Sequence, residues 1–185
     1  SVTLPANSVG NLVHMDGYTF IANIDGRIYN SPLNNPAGSY TDFIGADTSF
    51  DSLRTLAKVQ SHLIAYGEIS MEVYRIGEQT TGSPLQRIPE YFQNIGIYFP
   101  LGTLSKPPIT DGNNTLYWVG TNSNNIGVYT MENMQPKKIS GEIQDKYLQA
   151  AGDTLKIKYL EVGSRKLVFV AVDAFWLVYD VGLGF

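Results

Sequence analysis

The 185-residue sequence has no cysteine and only two histidines, His14 and His62. The first absence removes thiol catalysis, disulfide frameworks and thiolate zinc sites. The second leaves little material for an imidazole metal centre. Charged residues make up 16% of the chain, against roughly 25% in ordinary soluble domains. Long apolar runs are missing too: Leu167–Val172 falls far below the about 18 residues of a membrane span. The opening stretch SVTLPANSVG lacks both the basic segment and the apolar segment of a secretory leader, so none is expected there.

What is present is apolar and turn-rich. Residues of the AVILMFWYC set reach 43% and aromatics 12%, with twelve tyrosines, beside 18 Gly, 9 Pro and 13 Asn. β-friendly aromatics among so many turn formers point to an all-β protein of short strands. The length allows one domain or a piece of a larger one. The net charge of −4 is unevenly placed: residues 1–86 hold four basic and eight acidic side chains, residues 87–185 nine of each. Neither half resembles a broad phosphate-binding surface, so nucleic acid is not expected as the main ligand.

Four segments share one outline, an apolar strand, a short turn and a second strand bearing a tyrosine. They are GYTFIAN-IDG-RIYN (17–30), HLIAYG-EIS-MEVY (62–74), TLYWVG-TNSNNI-GVYT (115–130) and KLVFVAV-DAF-WLVYD (166–180). Their tyrosines, Tyr29, Tyr74, Tyr129 and Tyr179, are 45, 55 and 50 residues apart. Weaker strand-like stretches, NLVHM, RTLAKV, FPLGTL and LKIKYLEV, precede them. A three-stranded unit cannot bury both faces of its own sheet, so neighbours must stack on it. The period predicts a β-propeller of about four blade-like repeats of roughly 50 residues, with units near 11–33, 53–90, 97–140 and 154–185. An ordinary β-sandwich or barrel is the alternative. There is no Gly-His…Trp-Asp pairing and no sialidase Asp-box; TDGNNTLYW (110–118) reads as an Asp111-Gly112 turn feeding a buried strand. One helix is expected near 142–151, starting at Ser140 or Gly141, and 31–52 is the longest irregular stretch.

The candidate chemistry is thin. His14 and His62 occupy non-equivalent places in the repeat, and no nucleophile elbow accompanies them. Glu68 and Glu72 flank a turn as a glycosidase pair could, but any hairpin offers that spacing. Lys137 and Lys138 open a basic stretch, with seven of the thirteen basic residues between 137 and 166. Interspersed Glu142, Asp145, Asp153 and Glu161 favour a mixed-charge solvated face over a phosphate strip or a docking patch for an acidic partner. Asn113-Asn114-Thr115 fits a glycosylation pattern and, without a leader, carries no weight. Trp118 and Trp176 sit in the most apolar strands and are expected in the core. No catalytic, cofactor or metal residue is assigned, and no enzyme is expected.

Three blocks carry a family resemblance: YGEISMEVYRIG (66–77), SPLQRIPEYFQNIG (83–96) and TLYWVGTNSNNIGVYTMENMQPKKIS (115–140). Together they resemble the packaged-DNA stabilisation proteins of short-tailed phages, the tail hub or accessory factors of the P22-like group. Gly67, Glu68, Ser70, Glu72 and Val73 match the first family block, and Pro84, Leu85, Gln86 and Arg87 the second. Tyr117, Trp118, Val119 and Gly120 match its central strand; Gln135, Pro136, Ile139 and Ser140 match its closing block. Departures are Tyr74 for a Trp-Tyr pair, Asn133-Met134 for Gly-Tyr, and Lys138 for Arg. The resemblance implies a structural virion protein that docks beneath the portal and its adaptor and helps retain packaged DNA. It also implies a homo-oligomeric ring, a hexamer, that holds needle or spike proteins. The family is longer at both ends, which implies a part of a larger propeller; a complete four-bladed closure is the other option. The rival readings are a carbohydrate- or receptor-binding propeller and a propeller glycosidase or lyase.

Overall fold

The computed structural model describes residues 3–46, 51–78, 82–98, 107–112, 114–122, 125–151 and 155–185. Strands form where short apolar alternations meet residues that tolerate a left-handed backbone. β1 (Ser8–Met15) and β2 (Tyr18–Asn23) are joined by Asp16 and Gly17, with φ of 50° and 83°. This hand matches the twist of a two-residue hairpin. β3 (Arg27–Asn30) and β4 (Asp42–Gly45) complete an antiparallel sheet in the order β1-β2-β3-β4. The second sheet repeats the plan with β5 (Leu53–Val59), β6 (His62–Gly67), β7 (Met71–Ile76) and β8 (Leu85–Arg87).

The third sheet contains β9 (Gly96–Ile97), β10 (Ile109–Gly112), β11 (Thr115–Asn122), β12 (Asn125–Glu132) and β13 (Gln135–Lys138). Its path is β10-β11-β12-β13, and β9 pairs with β11. Helix α1 (Glu142–Ala150) follows, then a fourth sheet of β14 (Lys156–Val162), β15 (Arg165–Val172) and β16 (Phe175–Asp180). Sequential antiparallel sheets of three to five strands are the blades of a β-propeller, the fold the tyrosine period predicts.

The chain divides into two compact units, Ser1–Asn94 and Ile95–Phe185. In the first, Val13, Phe20 and Ile28 of the first sheet pack with Leu56, Leu63 and Tyr74 of the second. In the other, Tyr117, Val119 and Val128 of the third sheet pack with Val168, Val170 and Val172 of the fourth. Leu148 of α1 joins that core, and Tyr117 stacks on Tyr159 at 6.0 Å between ring centroids. Each fully buried aliphatic or aromatic side chain of this kind contributes about 1.5–3 kcal/mol. Alternation makes the arrangement possible, because residues i and i+2 share a sheet face.

Polar clamps fix the turns between these apolar strands. The Asp51 carboxylate accepts the backbone N–H groups of Glu68, Ile69 and Ser70, each at 2.9 Å, and the Ser70 hydroxyl at 3.1 Å. Ser140 accepts the Val128 N–H at 2.9 Å and donates to Asp145 at 2.5 Å. Asp180 accepts the Gly182 N–H at 2.9 Å and Arg165 Nε at 2.8 Å.

Several elements differ from the sequence expectation. The first three sheets have a further edge strand beyond the repeat outline, β4, β8 and β13, and β4 interrupts the supposedly irregular 31–52. These strands, DFIG, LQR and QPKK, are only three or four residues long, too short for an alternation to mark them. Asp111 and Gly112 are not a turn: they end β10, paired with Leu116 and Thr115. The left-handed residue there is Asn114, with φ 59°. FPLGTL (99–104) lies outside the described residues; β10 is the strand paired ahead of β11. The helix begins as expected at Gly141, whose N–H donates to Gln144 Oε1 at 3.1 Å.

Three outcomes follow from this packing. Asp51→Ala strips a charged acceptor from three amides at once and should destabilise the first unit by about 2–4 kcal/mol, read by urea denaturation followed by circular dichroism. A Cβ on Gly112 would fall onto the Tyr159 ring, whereas one on Gly182 meets only Asp180 Oδ1 at 3.5 Å. Gly112→Ala should therefore lower the thermal midpoint well below that of Gly182→Ala. The Gly182 amide, and then Arg165, hold the Asp180 carboxyl below its ordinary value. A lowered folded-state pKa gives stability that is present above about pH 4 and lost as pH falls through the folded value. Asp180→Asn should thus flatten the acid limb of the thermal-midpoint profile relative to wild type.

Candidate interaction surface

The register of the fourth sheet separates its side chains into two faces. Ile157, Val170 and Leu177 lie across from one another, as do Tyr159, Val168 and Tyr179, and these rows face the core of the second unit. The alternate rows are Lys158, Phe169 and Val178; Leu160, Leu167 and Asp180; and Lys156, Ala171 and Trp176. This other face is apolar and open: Trp176 is 56% exposed, Val178 40% and Leu160 37%. Trp176 meets Phe169 edge-on at 6.1 Å. Lys156 and Lys158 are exposed at its margin on β14.

Sheets two and three contrast with it. Leu63 and Tyr74 on one face of the second sheet are buried, and so are Ile64, Tyr66 and Val73 on the other. In the third, Tyr117 and Val119 are buried on one face, Trp118 and Leu116 on the opposite one. Burial pushes the Tyr66 phenol well above its usual pKa. The first sheet shares the open character on one side. Tyr29 and Phe43 are register partners with rings 5.3 Å apart, and Phe43 is 45% exposed. The Arg27 guanidinium lies 4.6 Å over the Phe43 ring and 3.5 Å from Asp25. Exposed Leu12 and His14 continue that face on β1, with His14 Nδ1 3.3 Å from Thr19 Oγ1.

The two tryptophans part company. Trp118 is fully buried, as expected, and stacks on Tyr129 at 5.8 Å. Trp176 is not core, contrary to expectation. Its row lies on the face of β16 opposite the half-buried Leu177 and Tyr179, which pack on the core, so alternation sends it outward. The missed signal is that KLVFVAV and FWLVYD are apolar at both alternations, which a sheet with one covered face does not require.

The sequence-flagged polar residues do not converge. Glu68 is ion-paired with Arg54, while buried Glu72 accepts the Tyr74 hydroxyl and lies 3.8 Å from Arg87. Lys137 pairs with Glu132 at 2.7 Å and Lys138 with Asp145 at 2.5 Å. His62 opens β6, away from His14 on β1. Of the glycosylation-like triplet, Asn113 lies outside the described residues. No group of three or more metal-ligating side chains occurs among the described residues, and no helix there is long and apolar enough to cross a membrane. The Tyr159 phenol is pushed up to about 12 by burial and by donating to Glu161 at 2.7 Å. Several residues of the resemblance blocks act as fasteners: Glu68 and Ser70 bind Asp51, Glu72 neighbours Arg87, and Ser140 holds Asp145.

Solved structures with this fold include the computationally designed Ika4 protein, at 10% identity and a TM-score of 0.56, covering 98% of this chain and 96% of that one. The computationally designed Ika8 protein matches at 11% identity and TM-score 0.55, over 96% of this chain and 47% of its own. BamB from Moraxella catarrhalis matches at 12% and 0.54, over 96% and 51%. The chain thus spans about half the length of the latter two, and at such identities the likeness is one of fold alone. No curated protein matches the sequence. The family model described as bacteriophage P22 Gp10, beta-propeller, a phage-stabilisation family, matches residues 3–182. The chain therefore belongs to that family, and is a structural, DNA-stabilising phage protein of the virion.

Proposed function

We propose that this protein is a tail hub or head-completion component that docks beneath the portal and its adaptor, helps retain packaged DNA and anchors needle or spike proteins. The observation that carries the reading is the family match over 3–182, nearly the whole chain. Its work is mechanical. Antiparallel sheets clamped by Asp51, Ser140 and Asp180 hold loops at fixed angles, and exposed apolar rows offer area to neighbouring virion proteins. Nothing in this role calls for catalysis or a cofactor. A homo-oligomeric ring, a hexamer by family resemblance, is the assembly in which such a part would act.

A carbohydrate- or receptor-binding module is the second reading, and exposed Trp176 is the observation in its favour. Sugar sites combine an aromatic platform with convergent polar groups in a concavity. Around Trp176 the neighbouring rows are Ala171, Phe169 and Val178 on a sheet face, which suits protein contact better.

The test is co-sedimentation of the full chain with an assembled portal–adaptor complex, compared with free portal subunits. Retention by the assembled complex alone is the expected outcome. Indifference to portal assemblies, together with glycan-array binding lost in Trp176→Ala, would replace the hub reading with the second one.

A further inference from the structure

We draw no further inference here: the strongest candidate, the open apolar face of the fourth sheet around Phe169, Trp176 and Val178, carries nothing, because nothing in the structure shows what covers it.

Discussion

The structure depends on one constraint: a short antiparallel sheet with apolar side chains on both faces cannot be stable until another sheet lies on it. In the first unit Phe20 and Ile28 meet Leu63 and Tyr74; in the second Val119 and Val128 meet Val168 and Val170. The strands are four to eight residues long for the most part, and no single hairpin would hold alone in water. Stacking converts weak ladders into two cores. Where stacking stops, on the outer rows of the fourth sheet, the same residue types stand exposed.

Polar groups serve that stacking. Asp51 gathers three amides of the turn after β6, Ser140 joins β12 to the start of α1, and Asp180 ties the residues after β16 to Arg165. Each clamp places a carboxylate or hydroxyl against backbone N–H groups that a turn would otherwise leave to water. The family-like blocks contain the 68–70 turn that Asp51 clamps and the Ser140 clamp, which explains how a resemblance of motifs can mark a structural role. Glu68 and Glu72, the pair that chemistry would notice first, are held apart in separate arrangements: Glu68 by Arg54, Glu72 by the Tyr74 hydroxyl with Arg87 nearby.

For a virion component this division of labour is suited to the task. Clamped turns hold the strands in register, and the fourth sheet keeps an open apolar face. A protein of this family needs neighbours, and the rows of Trp176, Phe169 and Val178 offer them area without any reacting group.

Local pattern in the sequence misplaced the turn between β10 and β11 by two residues, at Asp111-Gly112, but set the all-β class, the repeat of strand pairs and the helix start. These depend on local rules: alternation, Asp16-Gly17 and similar turns, and Gln144 three residues beyond Gly141. It also carried the family, through ordered blocks from Gly67 to Ser140. Only the tertiary structure decided the edge strands β4, β8 and β13, because DFIG, LQR and QPKK become strands through a partner's open ladder and not through their own pattern. The same holds for the tryptophans. Trp118 and Trp176 occupy equally apolar strands, yet Trp118 is fully buried against Tyr129 while Trp176 stands on a face that the fold of the second unit leaves open.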